Sequence, residues 1–252
     1  MTTRCATLRA LHHGRPSGDP LVLPNIWDAD SARVFADAGF PALATSSGAV
    51  AATLGYADGE HTPADEMFAA IARIVRAVDI PVTADIEAGY RLAPKEIAER
   101  LLEAGAAGCN LEDSVPGPRP RELREPAEQG DRLAEVRAAS GSELVINARI
   151  DSFLFGDRTP ASAAERGRHY ARAGVDCVYP ILAPPESLPE IAQAVDVALN
   201  ALYLPEGPTP SRLGELGATR VTYGELLYKR ATAPTRKLAH QIATAAGSGL
   251  PG

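Results

Sequence analysis

The feature that most constrains this chain is a phrase that occurs four times, in which a helical segment ends at a glycine and runs directly into an apolar strand. The copies read ADAGFPAL, LEAGAAGCNL, ARAGVDCVY and GELGATRVTY. Glycine ends helices readily because it adopts the left-handed backbone conformation found at helix C-termini. Strands that repeatedly follow helices in this way indicate a parallel α/β fold.

About eight such strands are predicted, the number that closes a parallel barrel. They are predicted at residues 21–25, 42–46, 82–86, 108–112, 144–149, 176–180, 197–201 and 220–223. Helices are predicted at 30–38, 63–78, 94–104, 161–173 and 210–216, with a further one at 234–246. Because 252 residues is an ordinary length for one barrel, we predict a single (β/α)8 TIM-barrel domain spanning residues 1–252.

Composition excludes several classes of partner. The net charge of −7 argues against nucleic acid, whose binding requires clustered Lys and Arg. The cysteines, Cys5, Cys109 and Cys177, lack CxxC spacing and suit a reducing compartment. No apolar run is long enough for a membrane span, and the N-terminus has no signal pattern. We therefore predict a cytoplasmic protein without a nucleic-acid or membrane partner.

Charged side chains end three consecutive predicted strands. Asp85 and Glu87 lie at the end of the third strand, Glu112 ends the fourth, and Arg149 ends the fifth. Catalytic groups of such barrels lie at the C-terminal ends of the strands. Asp85 and Glu87 are two residues apart, so on an extended strand they would point to the same side and meet Glu112. Three converging carboxylates require a cation, and an all-oxygen ligand set favours Mg²⁺, with Mn²⁺ as an alternative.

Arg149 has two interpretations at this stage. It would clamp a substrate carboxylate with two parallel hydrogen bonds, or it would form a structural salt bridge with Glu112. Either role suits an arginine at the end of a strand next to the acidic cluster.

Several phrases in order resemble the isocitrate lyase / phosphoenolpyruvate mutase superfamily. They are LPNIWDADSA, ATSSGAVAATLGYADGE, VTADIEAGY, GCNLEDS, VINARID and ALNAL followed by LGATRVTYG. The resemblance extends from Leu23 to Tyr223. It implies a TIM barrel that uses Mg²⁺ to act on a small 2-oxo carboxylate.

The resemblance also implies roles for residues at matching positions. Asp85 would be the principal Mg²⁺ ligand, with Asp58, Glu87 and Glu112 around the metal's water shell. Ser46, Ser47 and Gly48 would bind substrate oxygens. Trp27 would form a wall of the pocket, Arg149 would orient the substrate, and Asn200 would add a polar contact. The catalytic set implied in this way is Arg149, Glu112, Ser46 and Asp58.

Each implied role competes with a structural one. Asp58 would merely form a turn with its own backbone, and Trp27 would pack in the core. Ser46 and Ser47 would cap a following helix, and Asn200 would satisfy local backbone groups. Of the five histidines, only His61 lies close enough in sequence to Asp58 to approach the site.

Members of the superfamily differ in a gating loop, which corresponds here to residues 114–131. This segment lacks the Lys and Cys of isocitrate and methylisocitrate lyases, and the Lys and Asn of phosphoenolpyruvate mutases, although Arg119, Arg121 and Arg124 would supply positive charge. Tyr179 stands where relatives carry Glu or His. The chain therefore resembles the short-loop, phosphonomutase-like branch.

The preferred hypothesis is a lyase that breaks a C–C bond through a metal-stabilised enolate of a 2-oxo or 2-hydroxy (di)carboxylate. A mutase or hydrolase acting on a C–P bond is the first alternative, and a non-catalytic binder of 2-oxo acids is the second. The superfamily also implies a homo-oligomer, a dimer or tetramer, in which the helix at 234–246 is exchanged between subunits.

Overall fold

The computed structural model describes residues 3–115 and 121–245, in which strands and helices alternate. The strands are β1 (Leu21–Leu23), β2 (Asn25–Ile26), β3 (Leu43–Thr45), β4 (Val82–Asp85), β5 (Gly108–Glu112), β6 (Ser114–Val115), β7 (Glu122–Leu123), β8 (Val145–Ile150), β9 (Cys177–Pro180), β10 (Ala198–Leu202) and β11 (Arg220–Thr222). The helices are α1 (Thr3–Leu11), α2 (Ala29–Asp37), α3 (Ser47–Leu54), α4 (Ala64–Arg76), α5 (Pro94–Glu103), α6 (Pro126–Ser140), α7 (Ser152–Phe155), α8 (Pro160–Arg172), α9 (Leu188–Ala194), α10 (Pro210–Glu215) and α11 (Leu226–Ala245).

All these strands except β6 and β7 form one parallel sheet, in the order β1-β11-β10-β9-β8-β5-β4-β3-β2. Its two end members, β1 and β2, are separated in the chain only by Pro24. Because β1 pairs with β11 and β2 pairs with β3, this interrupted strand joins both edges of the sheet. The predicted (β/α)8 barrel is confirmed, and each predicted strand is found within two residues of its expected bounds.

The main hydrophobic core lies between the strands and the surrounding helices. In α4, Met67, Ile71 and Ile74 recur at helical spacing and are fully or almost fully buried. They pack in one cluster with strand residues such as Leu43 and Val82. This layer holds the strands in register, so that their C-terminal ends form one rim.

The opposite end of the barrel is closed by α1. Its buried Cys5 and Leu8 pack against Leu21 and Leu23 of β1. Next to this plug lies an ion-paired group that we call the floor cluster, consisting of Arg9, Arg137 and Asp176. Arg9 Nε donates to Asp176 Oδ1 at 2.8 Å, and Arg137 donates to the other carboxylate oxygen.

The C-terminal helix departs from the prediction at 234–246. It begins at Leu226 and continues through Pro234. The segment before Pro234 consists largely of good helix formers, so the helix is established there and tolerates one lost hydrogen bond. None of the 20 residues of α11 is buried. Neither α11 nor any other described helix has the combination of length and apolarity needed to cross a bilayer.

The segment predicted as a gating loop, 114–131, includes β6, β7 and the start of α6. β6 and β7 pair in an antiparallel hairpin, with Ser114 opposite Leu123, and α6 begins at Pro126. Proline is favoured at the first position of a helix, which explains this boundary. Residues 116–120, which include Arg119, lie outside the described residues, as does residue 246 of the predicted last helix.

Candidate active site

A cavity of about 440 Å³ lies at the C-terminal rim of the barrel. Its lining includes six predicted site residues: Ser46, Ser47, Gly48, Asp58, Asp85 and Arg149. They follow three different strands, β3, β4 and β8, or end them. The structure brings these six together because parallel strands all present their C-terminal ends at the same rim.

Asp85, the last residue of β4, has one carboxylate oxygen held and the other free. Ser47 donates to Oδ2 from its hydroxyl at 3.2 Å and from its backbone N–H at 3.4 Å. Oδ1 is buried and has no hydrogen-bond partner among the described residues. Burial raises the pKa of Asp85, Arg149 opposes the rise, and Asp58 adds to it. A buried oxygen without a partner is unfavourable unless a ligand or cation completes it.

The first turn of α3 forms the side of the cavity next to Asp85. Ser46 Oγ accepts a hydrogen bond from Ala49 N at 3.5 Å and so caps the helix while also lining the cavity. Gly48 leaves room for Glu225, because a Cβ at position 48 would lie 2.0 Å from Glu225 Oε1 and would displace that carboxylate. The same Cβ would lie 3.2 Å from Asp58 Cγ, so the glycine lets both acidic side chains come near the helix end.

Arg149 is fixed by two acidic neighbours and still lines the cavity. Its Nε donates to Asp151 Oδ1 at 2.7 Å, and its Nη1 lies 2.9 Å from Glu112 Oε2. Although burial acts in the opposite direction, these carboxylates raise the pKa of Arg149 above its usual value. The salt bridge considered from sequence is therefore present, and it holds the guanidinium rigidly at the cavity wall.

The argument that placed Glu87 beside Asp85 on an extended strand is wrong. β4 ends at Asp85, and Glu87 adopts a left-handed backbone conformation with φ of 51°. Its carboxylate accepts from Tyr90 Oη at 2.8 Å and from Glu60 N at 2.7 Å, and Glu87 does not line the cavity. Burial and the nearby Asp58 raise the pKa of Glu87 to about 7.

Glu112 is likewise engaged elsewhere. Arg121 Nη2 lies 2.5 Å from its Oε1, and Arg149 contacts its Oε2. Burial raises the pKa of Glu112, and the two arginines oppose this. Glu112 therefore acts on the cavity through Arg149, since its own side chain is not part of the cavity lining.

Trp27 and Asn200 also lie outside the lining of the cavity. The Trp27 ring packs edge-on against Tyr228 of α11, with centroids 5.4 Å apart, because α11 covers that end of β2. Asn200 Nδ2 donates to Thr222 Oγ1 at 3.2 Å, so its amide is satisfied by the neighbouring strand. Trp27, Asn200 and His61 are thus not among the described residues that line this cavity, and the substrate contacts expected of Trp27 and Asn200 stay predictions.

Glu225 and Lys229 line the cavity but were missed from sequence. Lys229 Nζ lies 2.5 Å from Glu225 Oε2, one helical turn away. The backbone that leads into this pair is held by Asn25, whose Oδ1 accepts from Tyr223 N at 2.7 Å and Gly224 N at 3.0 Å. The rule that functional groups follow barrel strands would have found Glu225, which lies three residues after β11.

The acidic residues around the cavity differ in how well they fit a metal ion. In the part of the chain that the structure describes, no three His, Cys, Asp or Glu side chains form a metal cage. The expected carboxylates therefore do not form a direct cage, and the water-shell roles of Asp58, Glu87 and Glu112 stay predictions. Asp85 nevertheless fits a hard cation, since its Oδ1 is buried without a partner. Mg²⁺ commonly takes one or two carboxylates and completes its shell with water and substrate oxygens.

The barrel and its charged mouth define the class of protein as a TIM-barrel enzyme. The chain belongs to the phosphoenolpyruvate phosphomutase family, which it matches over residues 8–243. This family lies within the isocitrate lyase / phosphoenolpyruvate mutase superfamily of lyases and mutases that act on small carboxylates.

Three relatives illustrate the match. An uncharacterized protein of Mycobacterium tuberculosis is 33% identical over 220 residues, covering 86% of this chain and 81% of the relative. A Corynebacterium glutamicum protein named "Probable 2-methylisocitrate lyase 2" is 30% identical, covering 88% of this chain and 76% of the relative. A solved structure from Burkholderia cenocepacia, provisionally described as a phosphonomutase, has 39% identity and a TM-score of 0.86, covering 95% of this chain and 100% of that one.

Proposed function

We propose that this protein is a Mg²⁺-dependent lyase that breaks a C–C bond in a small 2-oxo or 2-hydroxy carboxylate. One observation carries the proposal: the free, buried Oδ1 of Asp85 belongs to a residue that lines the same cavity as Arg149. The free oxygen can be completed by a cation, and Arg149, although paired with Glu112 and Asp151, presents positive charge at the same cavity wall. A substrate carboxylate whose adjacent oxygen chelates a divalent ion matches both features.

The chain's own residues then have distinct tasks. Arg149, held by Asp151 and Glu112, orients the substrate carboxylate. Ser46 and the backbone of Gly48 offer donors to substrate oxygens at the first turn of α3, where the helix dipole favours negative charge. Ser47 positions Asp85 for the cation. A bound Mg²⁺ would polarise the substrate's oxo or hydroxyl oxygen and so stabilise the negative charge that develops there.

Two side chains of the cavity are suited to handling protons. Burial raises the pKa of Tyr179 to about 12, so its hydroxyl remains protonated at neutral pH and can donate. The Glu225 carboxylate, beside Gly48 and paired with Lys229, can accept a proton from a substrate hydroxyl. Asp58, near the same glycine, adds negative charge that favours a cation.

The proposal is tested by incubating the purified protein and Mg²⁺ with a panel of 2-oxo and 2-hydroxy acids, including diacids, and following products by proton NMR. We expect cleavage of at least one acid, with the activity lost on chelation and restored by Mg²⁺. If oxalate and Mg²⁺ stabilise the protein thermally but no acid is cleaved, the chain is a binder instead.

C–P chemistry is less well supported. Arg121 is paired with Glu112 and Arg124 with Glu128 at 2.7 Å, and, unlike Arg149, neither lines the cavity where a phosphoryl group would bind. Incubation with phosphonopyruvate, followed by phosphorus NMR, distinguishes the two reactions. A shifted or released phosphorus signal would replace C–C cleavage with C–P chemistry.

We further propose that the protein is a homo-oligomer in which α11 packs on a neighbouring copy. The helix has no buried residue in the single chain and exposes Leu238 and Ile242. A Leu238→Glu, Ile242→Glu variant should lower the mass measured by light scattering. Val34→Glu on α2, where the valine is equally exposed, is the matched control. An unchanged mass for the double variant would contradict the proposal.

A further inference from the structure

The cavity has two unlike walls. One is polar and includes Asp85 and Arg149, whereas the wall formed after β9 and β10 includes Leu182, Leu202 and Leu204. A substrate that binds its carboxylate at the polar wall can place its other end against these leucines.

A second cavity of about 190 Å³ lies behind the leucine wall, and we call it the apolar annexe. It shares Leu182, Leu202 and Leu204 with the main cavity. Its deeper lining comes from β10 and α10 and includes Ala201 and Leu213, both buried. The annexe therefore adjoins the candidate active site, and the side chains of these three leucines lie between the two cavities.

The shared leucines are unusual for a surface. Leu182 and Leu204 keep 42% and 47% of their surface exposed, although large apolar side chains at a cavity mouth gain by being covered. Leu182 also adopts a left-handed backbone conformation with φ of 57°. Such conformations are disfavoured for bulky residues and are concentrated at ligand clamps and active sites. Both features are expected where an apolar ligand group completes the wall.

The charges near this wall do not suit a second acidic group of the substrate. Among the residues that the structure describes, the cations in the main cavity's lining are Arg149, which the proposed function assigns to the first carboxylate, and Lys229. Lys229 is paired with Glu225 at 2.5 Å. In the annexe, within the described part of the chain, the one charged lining residue is Glu206, which would repel an anion. These residues favour an uncharged group at this end of the substrate.

We propose that the apolar annexe is a substrate subsite, and that the protein acts on a 2-oxo or 2-hydroxy acid carrying an alkyl substituent. The inference rests on the proposed function for the position of the carboxylate end. Size supports it, because an apolar cavity of about 150 Å³ is known to hold a benzene molecule. A substituent of about four carbons therefore fits the annexe.

The test uses oxamate and N-butyloxamate, which share an oxalate-like end and differ only in the alkyl chain. Binding of each to the full-length protein with Mg²⁺ is measured by calorimetry. If the chain enters the annexe, N-butyloxamate should bind about 10- to 100-fold more tightly than oxamate, because each buried methylene contributes favourably.

Ala183 allows the annexe to be filled without altering the main cavity, since it lines only the annexe. Ala183→Leu should reduce the affinity advantage of N-butyloxamate over oxamate to less than about threefold, and it should leave the affinity for oxamate unchanged. Ala93→Leu, at an exposed loop position before α5, is the matched control and should still bind N-butyloxamate more tightly than oxamate, as the wild-type protein does. Ala201→Val fills the same space from β10 and replaces Ala183→Leu if that variant does not fold.

The outcomes separate this inference from the proposed function. The subsite would be overturned if the wild-type protein bound the two oxamates equally tightly. It would also be overturned if N-butyloxamate still bound more tightly than oxamate in both Ala183→Leu and Ala201→Val. Neither result would affect the carboxylate site. Failure of oxamate itself to bind with Mg²⁺ would overturn both proposals.

Discussion

The two ends of the barrel use the same kinds of charged residues for opposite purposes. At the floor cluster, Asp176 accepts from Arg9, Arg137 and the backbone N–H of Ile146, so both of its oxygens are satisfied. At the mouth, Asp85 has one oxygen held by Ser47 and the other without a partner. Both carboxylates are largely removed from water, so the difference lies in their hydrogen bonds.

This contrast indicates which end is built for stability and which for ligands. A buried carboxylate with every oxygen paired is inert and holds neighbouring elements together. A buried carboxylate that has an oxygen without a partner destabilises the ligand-free protein, and a ligand that binds this oxygen restores the stability. Removing charge should therefore affect folding at the floor and activity at the mouth.

The largest expected effect is at the mouth. Asp85→Asn should reduce the rate of C–C cleavage by at least about 10³-fold, about 4 kcal/mol, because the neutral amide binds a hard cation poorly. Its free energy of unfolding should be unchanged or slightly higher, since a buried charge is removed. Steady-state kinetics and urea denaturation measure the two quantities. A destabilised but active Asp85→Asn enzyme would reverse the comparison.

At the floor, Asp176→Asn should lower the free energy of unfolding by about 3 kcal/mol, because it leaves two arginines near the barrel bottom without their anionic partner. The activity per folded molecule should stay within about twofold of wild type, since a floor residue makes no substrate contact. Urea denaturation and kinetics on the same preparation test this. Loss of activity in fully folded protein would show that the floor contributes to the reaction.

Arg149→Lys tests whether the planar guanidinium of Arg149, and not only its positive charge, is needed at the barrel mouth. Lysine keeps the charge but cannot bridge Glu112, Asp151 and a substrate carboxylate as a planar guanidinium can. We expect cleavage to fall by about 10²-fold, about 2.7 kcal/mol. Full activity of Arg149→Lys would mean that only its charge matters.

The smallest effect concerns His12, beside the floor. Burial, reinforced by Arg220, lowers the pKa of His12 to about 4, and its Nε2 has no hydrogen-bond partner among the described residues. In the unfolded chain its pKa is about 6.5, so protonation favours unfolding as the pH falls from 6.5 towards 4. Stability should therefore drop by about 2 kcal/mol between pH 7 and pH 5 because of this residue.

His12→Asn isolates that contribution, because it removes the titration while retaining a donor for the Leu8 carbonyl, which Nδ1 contacts at 2.7 Å. Urea denaturation of both proteins at pH 7 and pH 5 gives the difference. Equal pH dependence in the two proteins would show that His12 does not titrate as described.

The fold was predictable because it is encoded locally. Helix ends at Gly39, Gly105, Gly174 and Gly217 have positive φ, as the repeated phrase required, and periodic apolar residues specified the strands. The long C-terminal helix was predicted only from Pro234 onward, because a proline was read as a start when the segment before it already favoured a helix.

The site was predictable only in part, for reasons of geometry. Asp85 and Arg149 were found because strand ends meet at one rim. Glu87 was misplaced because the strand stops two residues earlier, and sequence spacing does not report where an extended backbone ends. The ion pair between Glu112 and Arg121 accompanies the antiparallel pairing of β6 with β7, which no local sequence pattern specifies.

The most direct test of the central claim is calorimetric titration of the wild-type protein with oxalate, in the presence and absence of Mg²⁺, repeated on Asp85→Asn. If Asp85 Oδ1 binds a Mg²⁺ ion that also binds the ligand, oxalate should bind the wild-type protein at least about 100-fold more tightly with Mg²⁺ than without it. In Asp85→Asn, the affinity for oxalate should no longer depend on Mg²⁺. Oxalate affinity that is independent of Mg²⁺, or a metal dependence that persists in Asp85→Asn, would contradict the account.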